Sequence, residues 1–229
     1  MVDTIITGST DSTDNELYYT FSETEYNHKK LRLALGAYLG GKGWHSALKA
    51  FNFAEQFHTG TRKDGKTPEF DHQVRIALYV TTLPELIYPE ETITTVFLHD
   101  TPEDYDVGHD EIESKFGKMV SVSTELVTKF HRGTKKHPNE YFREIAKDPI
   151  ASIVKGADRI HNLQSMVGTF DIEKQKRYMD EVKVHFLPML KTARRLFPEQ
   201  RNAYENIKHM LVSQIELIEA IHYYHQNGE

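Results

Sequence analysis

Cysteine is absent from all 229 residues. Disulfides, thiolate metal sites and cysteine nucleophiles are therefore excluded. Long apolar runs are missing as well, and no stretch approaches the ~18 apolar residues of a membrane span. The first ten residues carry no basic segment ahead of the short Ile5-Ile6 pair, so no export signal is expected. There is no surplus of positive charge: 28 Lys and Arg stand against 34 Asp and Glu, a net charge of −6. That balance disfavours a general binder of nucleic acid or anionic membranes. Strand-like alternation, internal repeats and low-complexity segments are also lacking. These absences leave a soluble, cytoplasmic chain as the expectation. At roughly 150 residues per domain, its length allows one full domain with decoration, large enough to be stable without staples. One residue type is abundant. Thirteen histidines in a chain without cysteine direct the search to a histidine–carboxylate metal site.

Periodicity predicts an all-α fold. Residues 1–15, rich in Thr, Ser and Asp, read as a loose tail, and 16–39 as weakly helical. Gly40-Gly41-Lys42-Gly43 separates them from the clearer pattern that begins at Trp44. Trp44, Ala47, Leu48, Phe51 and Ala54 recur at three and four, one buried helix face. Thr59 to Pro68 reads as a loop. Short helices are expected from about Asp71, over Glu90–His99, and over Asp110–Phe116, the last stopped by Gly117. Helix is expected over Val120–Phe130, and a polar loop over Arg132–Asn139. Pro149 suits a first helical turn and opens a helix to about Met166. Glu173–Phe197 should be helical with a kink at Pro188. From Pro198 a last helix places Tyr204, Ile207, Leu211, Ile215, Ile218 and Ile221 on one stripe. The expected organisation is an N-terminal extension, 1–43, a main domain, 44–200, and a packed C-terminal amphipathic helix, 201–229.

Chemistry concentrates in three places. His99-Asp100-Thr101-Pro102-Glu103-Asp104 ends a buried helix and carries four ionisable groups in six residues. Such a group is costly to desolvate unless something pairs with it, and a divalent cation is an economical partner. With thirteen histidines and thirteen aspartates, one His-Asp dipeptide is about what chance supplies, and His109-Asp110 is a second. There Asp110 reads as a helix N-cap. The second place runs from His58 through Arg62, Lys63 and Gly65 to His72. Arg62 and Lys63 are adjacent cations on a glycine-flexed loop, suited to an anionic substrate, and arginine can also stack on a base. In the third, Lys155, Asp158, Asn162 and Ser165 share one helix face. Singly, each segment has a plainer reading: a solvated helix end, a basic turn, a surface salt bridge. Their joint order is what those readings do not predict.

The series His58…Arg62-Lys63-x-Gly65…His72, Leu98-His99-Asp100-x-x-Glu103-Asp104, Phe116-Gly117, Thr128-Lys129 and Lys155-x-Ala157-Asp158-Arg159-x-His161-Asn162 resembles the hydrolase domain of RelA/SpoT homologues. These are HD-superfamily helical bundles that remove the 3′-diphosphate from the guanosine alarmones ppGpp and pppGpp. The resemblance runs from about Ala47 to Phe197. It implies that His72, His99, Asp100 and Asp158 hold one Mn²⁺. It likewise implies that Glu103 and Asp104 serve the catalytic water, and that Arg62, Lys63, Asn162 and Ser165 lie along the nucleotide. The implied activity is that of a (p)ppGpp 3′-pyrophosphohydrolase, releasing pyrophosphate and GDP or GTP.

The chain departs from the family pattern at Glu69-Phe70-Asp71, where an aromatic–aliphatic stretch is usual, and at Gln73, where proline is. Gln164 stands where arginine is frequent, and Ser165 replaces threonine. These changes spare the metal and water residues and bear on phosphate contacts and substrate range. The segment after Phe197 reads as one helix, so a following synthetase domain is not expected. The implied partner is a small guanine nucleotide, with no nucleic acid and no membrane; self-association is left open. Three alternatives remain: a different 2′- or 3′-phosphorylated nucleotide such as NADPH, an HD phosphohydrolase of nucleoside monophosphates, and an inactive alarmone sensor. Intact Glu103 and Asp104 weigh against the sensor.

Overall fold

Prolines and glycines mark many of the helix ends. The computed structural model describes residues 24–131 and 134–227, with the backbone alone at 24–27, 130, 131, 134 and 135. The tail expected over 1–15 lies outside the described residues. Helix α1 spans Thr24–Lys42, α2 His45–Glu55, α3 Asp71–Thr81, α4 Pro89–Leu98, and the single turn α5 Thr101–Asp104. Next come α6, His109–Phe116, and α7, Lys118–Val127, then the two-residue strands β1, Phe130–His131, and β2, Thr134–Lys135. Helix α8 spans Pro138–Ile145, α9 Pro149–Met166, and α10 Ile172–Glu181. A π-helical turn, Val182–Phe186, joins α10 to α11, Leu187–Leu196, and a 3₁₀ turn, Pro198–Gln200, leads into α12, Arg201–Asn227.

The local chemistry explains these boundaries. Pro89, Pro138 and Pro149 open their helices, where a missing N–H costs nothing. Asp148 caps α9, its carboxylate accepting from the amides of Ile150 and Ala151 at 2.9 and 2.6 Å. Gly117, at φ +88°, turns the chain between α6 and α7.

The all-α expectation holds, with several corrections. Gly40 and Gly41 do not interrupt α1, which continues to Lys42 and turns at Gly43, φ +70°. Asp110 is not the N-cap of α6; Gly108 is, and Asp110 sits in the first turn, where its charge suits the helix dipole. Helix α7 begins and ends earlier than expected, and the polar stretch after it holds the small antiparallel hairpin β1–β2 before Pro138 starts α8. The kink is a π turn ahead of Pro188, in which the Leu187 amide bonds the Val182 carbonyl. Pro188 has no N–H for the carbonyl four residues back, so the ladder widens there. On α12 Tyr204, Ile207, Leu211, Ile215 and Ile218 are buried as expected. His222 rather than Ile221 closes the stripe, donating to Gln175 Oε1 at 2.9 Å.

Helix α9 is the axis of the fold. Thirteen of its eighteen residues are buried, which identifies a helix covered on nearly every side. It packs against α3, α4, α7, α11 and α12. A Cβ at Gly156 would lie 2.7 Å from Ile207 Cγ2, so α12 crosses at a distance only glycine permits. Helix α1 joins the same core through fully buried Leu35 and Leu39. Among the described residues, no helix is long and apolar enough to cross a membrane.

Candidate metal centre and nucleotide cavity

Three aromatic rings determine where the first two histidines emerge. Phe51 of α2 meets Phe70 and Phe97 edge-on, at 5.3 Å in each case, and Phe70 and Phe97 lie 6.3 Å apart. Such pairs contribute about 0.5–1.5 kcal/mol each beyond their burial. His72 follows Phe70 by two residues in the first turn of α3, and His99 follows Phe97 by two at the end of α4. The cluster thus brings their rings within 5.4 Å of each other.

Among the described residues His72, His99 and Asp100 form one group whose ligand atoms all lie within 4.8 Å of one another. Asp100 Oδ2 is 3.1 Å from His99 Nε2 and 3.6 Å from His72 Nε2. Asp158, from α9, closes the ring on the other side, with Oδ1 3.2 Å from His72 Nε2 and 3.8 Å from His99 Nε2. Its carboxylate also accepts from Lys155 Nζ at 3.0 Å and Asn162 Nδ2 at 2.6 Å. Of the helix face read from the sequence, Lys155 and Asn162 thus bond Asp158, whereas Ser165 bonds the Asn162 carbonyl instead.

The donor set fits a divalent cation. His99 Nδ1 donates to the Val96 carbonyl at 2.7 Å, which leaves Nε2 with a lone pair. That Nε2 is buried and makes no hydrogen bond, although Asp100 stands beside it. A buried imidazole atom without a partner, set among two carboxylates, needs either a proton or a cation. Without a cation, burial lowers His99, but Asp100 and Asp158 outweigh it and push the ring up to about 10. Burial holds His72 low. Although burial opposes it, Lys155 keeps Asp158 well below the usual carboxylate range. A cation would take the place of the proton drawn to His99.

A cavity of about 710 Å³ opens in front of this cluster, lined by Arg62, Lys63, His72, Asp100, Glu103, Asp158, Asn162 and Ser165 among others. Glu103 is held at its edge by the Lys129 amide, 2.9 Å from Oε2. Asp104 is not in that lining. Desolvation and the carboxylates of Asp100, Glu103 and Glu69 push it up to about 6. The basic loop is a tight turn: Asp64 Oδ1 accepts from the amides of Lys66 and Thr67 at 2.9 Å, and Gly65 takes φ +70°. It presents Arg62, which donates to Ser165 Oγ at 3.3 Å, so the loop and α9 meet across the cavity. Lys63 lies over the Phe170 ring at 5.3 Å. The unusual residues before and after His72 are structural. Buried Asp71 pairs with His28 of α1 at 3.1 Å and with Arg75, while Gln73 donates to His58 Nε2 at 3.2 Å.

Sequence reasoning missed several participants. Arg159 is clasped between Tyr178 and Phe186, 4.6 and 4.5 Å from their centroids. It bonds Glu181 Oε2 at 2.5 Å, and Lys129 Nζ bonds Glu181 Oε1 at 3.0 Å. A buried arginine inside a motif signals that a carboxylate must be near, but only the fold identifies Glu181. Phe170 and Tyr178 belong to the cavity wall without a sequence cue. His161, quoted in the motif without a role, lies behind His72 with the two Nδ1 atoms 2.8 Å apart. Burial and the nearby positive groups keep it neutral, pushed down to about 2.

Comparison with known proteins gives this geometry a family. The chain is 35% identical over 149 residues to a protein of Synechocystis sp. named probable guanosine-3′,5′-bis(diphosphate) 3′-pyrophosphohydrolase, covering 62% of this chain and 19% of that one. A guanosine-3′,5′-bis(diphosphate) 3′-pyrophosphohydrolase of Aquifex aeolicus is 32% identical over 146 residues, 62% and 20% of the two chains. A protein of Streptomyces antibioticus named GTP pyrophosphokinase is 29% identical over 147 residues, 62% and 17%. The chain thus spans about a fifth of the length of the curated relatives it matches. The HD domain profile matches residues 50–196, more than half of the chain, from within α2 to the end of α11, the stretch that carries the His-Asp cluster. The chain therefore belongs to the HD domain family.

Proposed function

We propose that this protein is a Mn²⁺-dependent hydrolase that removes the 3′-diphosphate of ppGpp and pppGpp, yielding pyrophosphate and GDP or GTP. The observation that carries the reading is a single cavity lined both by His72, Asp100 and Asp158, with His99 beside Asp100, and by Arg62 and Lys63 of the basic loop. The names of the Synechocystis and Aquifex relatives support the same substrate. His72, His99, Asp100 and Asp158 would hold one Mn²⁺, which would supply charge screening at the phosphorus and a more acidic water.

The chain's own residues do the rest. Glu103, fixed by the Lys129 amide, takes the proton from the water as general base, while Asp104 orients Glu103 or the water. Lys155 and Asn162 hold the Asp158 carboxylate in place. Arg62 stacks on the guanine, Lys63 offsets phosphate charge, and Asn162 and Ser165 line the nucleotide's path. The acidic net charge is no obstacle, because only the field at the cavity has to be positive. In this reading residues 44–200 form the hydrolase unit and 201–229 a C-terminal addition, of which α12 packs on that unit, as α1 of the 1–43 extension does through His28, Leu35 and Leu39. The cytoplasm, where guanine nucleotides are held, is the compartment it requires.

The test is to incubate purified, metal-free chain with ppGpp, pppGpp, NADPH and nucleoside monophosphates, with and without Mn²⁺, and identify the products. Mn²⁺-dependent pyrophosphate release from ppGpp is expected. Turnover confined to NADPH or to monophosphates would move the reading to another HD phosphohydrolase.

A further inference from the structure

An imidazole that ligates a cation through one nitrogen keeps its proton on the other, so the group facing that second nitrogen decides how firmly the ring is held. At His99 that group is the Val96 carbonyl. At His72 it is neither a carbonyl nor a carboxylate: Nδ1 faces His161 Nδ1 at 2.8 Å. Both rings are buried, with 4% and 8% of their surface exposed, and their centroids lie 4.8 Å apart. His161 follows Asp158 by three residues on α9, one helical turn. The turn that brings Asp158 to one nitrogen of His72 therefore brings His161 to the other.

We propose that His161 is a positioning residue for the cation site: its Nδ1 lone pair accepts the Nδ1 proton of His72 and fixes the tautomer whose Nε2 is free to hold a divalent cation. This rests on the metal reading given under Proposed function. A hydrogen bond between two neutral imidazoles needs a proton from one and a lone pair from the other. With His72 as donor, His161 carries its own proton on Nε2. The reverse arrangement places the His72 proton on Nε2, between Asp100 and Asp158, where a cation would have to displace it. A carboxylate is a common partner behind a ligating histidine. Here it would add a third negative charge beside Asp100 and Asp158, whereas an imidazole accepts the same proton without adding charge.

The test measures Mn²⁺ binding to the metal-free full chain, from the electron paramagnetic resonance signal of free Mn²⁺, with no turnover involved. His161→Phe keeps a ring and removes the acceptor; His161→Asn keeps an acceptor atom near the Nδ1 position. His161→Phe should weaken Mn²⁺ binding by ~10–100-fold, and His161→Asn should stay within a few-fold of wild type. Unchanged affinity in His161→Phe overturns the proposal, and so does an equal loss in both variants, which would leave His161 a packing role alone. Wild-type chain that binds no Mn²⁺ overturns the metal reading itself, and this inference with it. Should His161→Phe fail to fold, the wild type still decides. With Zn²⁺ as a diamagnetic probe, long-range ¹⁵N–¹H correlations must show His161 protonated at Nε2 and His72 at Nδ1; the opposite tautomers overturn the proposal.

Discussion

Helix α9 has two sides, and they hold their neighbours by different means. On one, Asp158 and His161 reach His72 and His99 of α3 and the end of α4, while Lys155 and Asn162 hold the Asp158 carboxylate from the same helix. On the other, Gly156 lets Ile207 of α12 approach within methyl contact, and Ser152 meets the buried Tyr204 hydroxyl at 2.9 Å. The first side is polar and short of positive charge when no cation is present. The second is dry and closely packed. The packed side fixes the helix, and a fixed helix is what allows several charged groups to be aimed at one point rather than relaxing toward water. Substitutions on the first side should therefore abolish chemistry and spare the fold, while those on the second should do the reverse.

The largest effect is expected at His99. His99→Ala should lose Mn²⁺ binding and turnover together while the far-ultraviolet circular dichroism stays that of the wild type. A variant that still turns over would show that the cluster is not the reacting centre. Glu103→Gln comes next: Mn²⁺ affinity within a few-fold of wild type, with kcat lower by ~10²–10⁴-fold. If kcat stays within a few-fold, another group serves the water.

Arg62→Ala divides the polar side further, separating substrate binding from chemistry. It should chiefly raise the nucleotide KM, by ~5–150-fold, for a loss of about 1–3 kcal/mol in stacking and charge. A small activated phosphodiester, which has no base to stack, should be hydrolysed at nearly the wild-type rate. Equal losses on both substrates would place Arg62 in support of the metal centre. The smallest effect on chemistry, and the one that tests the packed side, is Gly156→Ala. The added methyl meets Ile207 at 2.7 Å, and overpacking of this kind costs about 1–3 kcal/mol. For a chain of this size each kcal/mol lowers Tm by about 2–4 °C. Its kcat/KM at 25 °C should match wild type. A variant that loses activity without losing stability would mean that the two sides of α9 are not separable.

Much of this was legible in the chain itself. The spacing of apolar residues placed α2, α3 and α12 close to where they stand, and Pro89 and Pro149 marked the starts of α4 and α9. His99 and Asp100 stood out because ionisable groups leaving an apolar helix need a partner, whereas joining them to His72 and Asp158 rested on the family resemblance. Local signals misled where tertiary packing overrode them. Gly40 and Gly41 read as a break, yet α1 continues because Leu35 and Leu39 are pulled into the core. His222 took the place expected of Ile221 because Gln175 waits on a different helix to receive its proton.

Which residues can do chemistry, and roughly which helix carries each, was set by the order of amino acids alone, since helix periodicity and residue type act over a few neighbours along the chain. Which of those residues meet was settled only by packing. The pairing of His161 with His72 spans 89 residues, that of Arg62 with Ser165 spans 103, and Glu181 reaches Arg159 from another helix. No local rule couples positions so far apart. They are brought together by the close packing of α9 against α12 and of the aromatic cluster beneath His72 and His99.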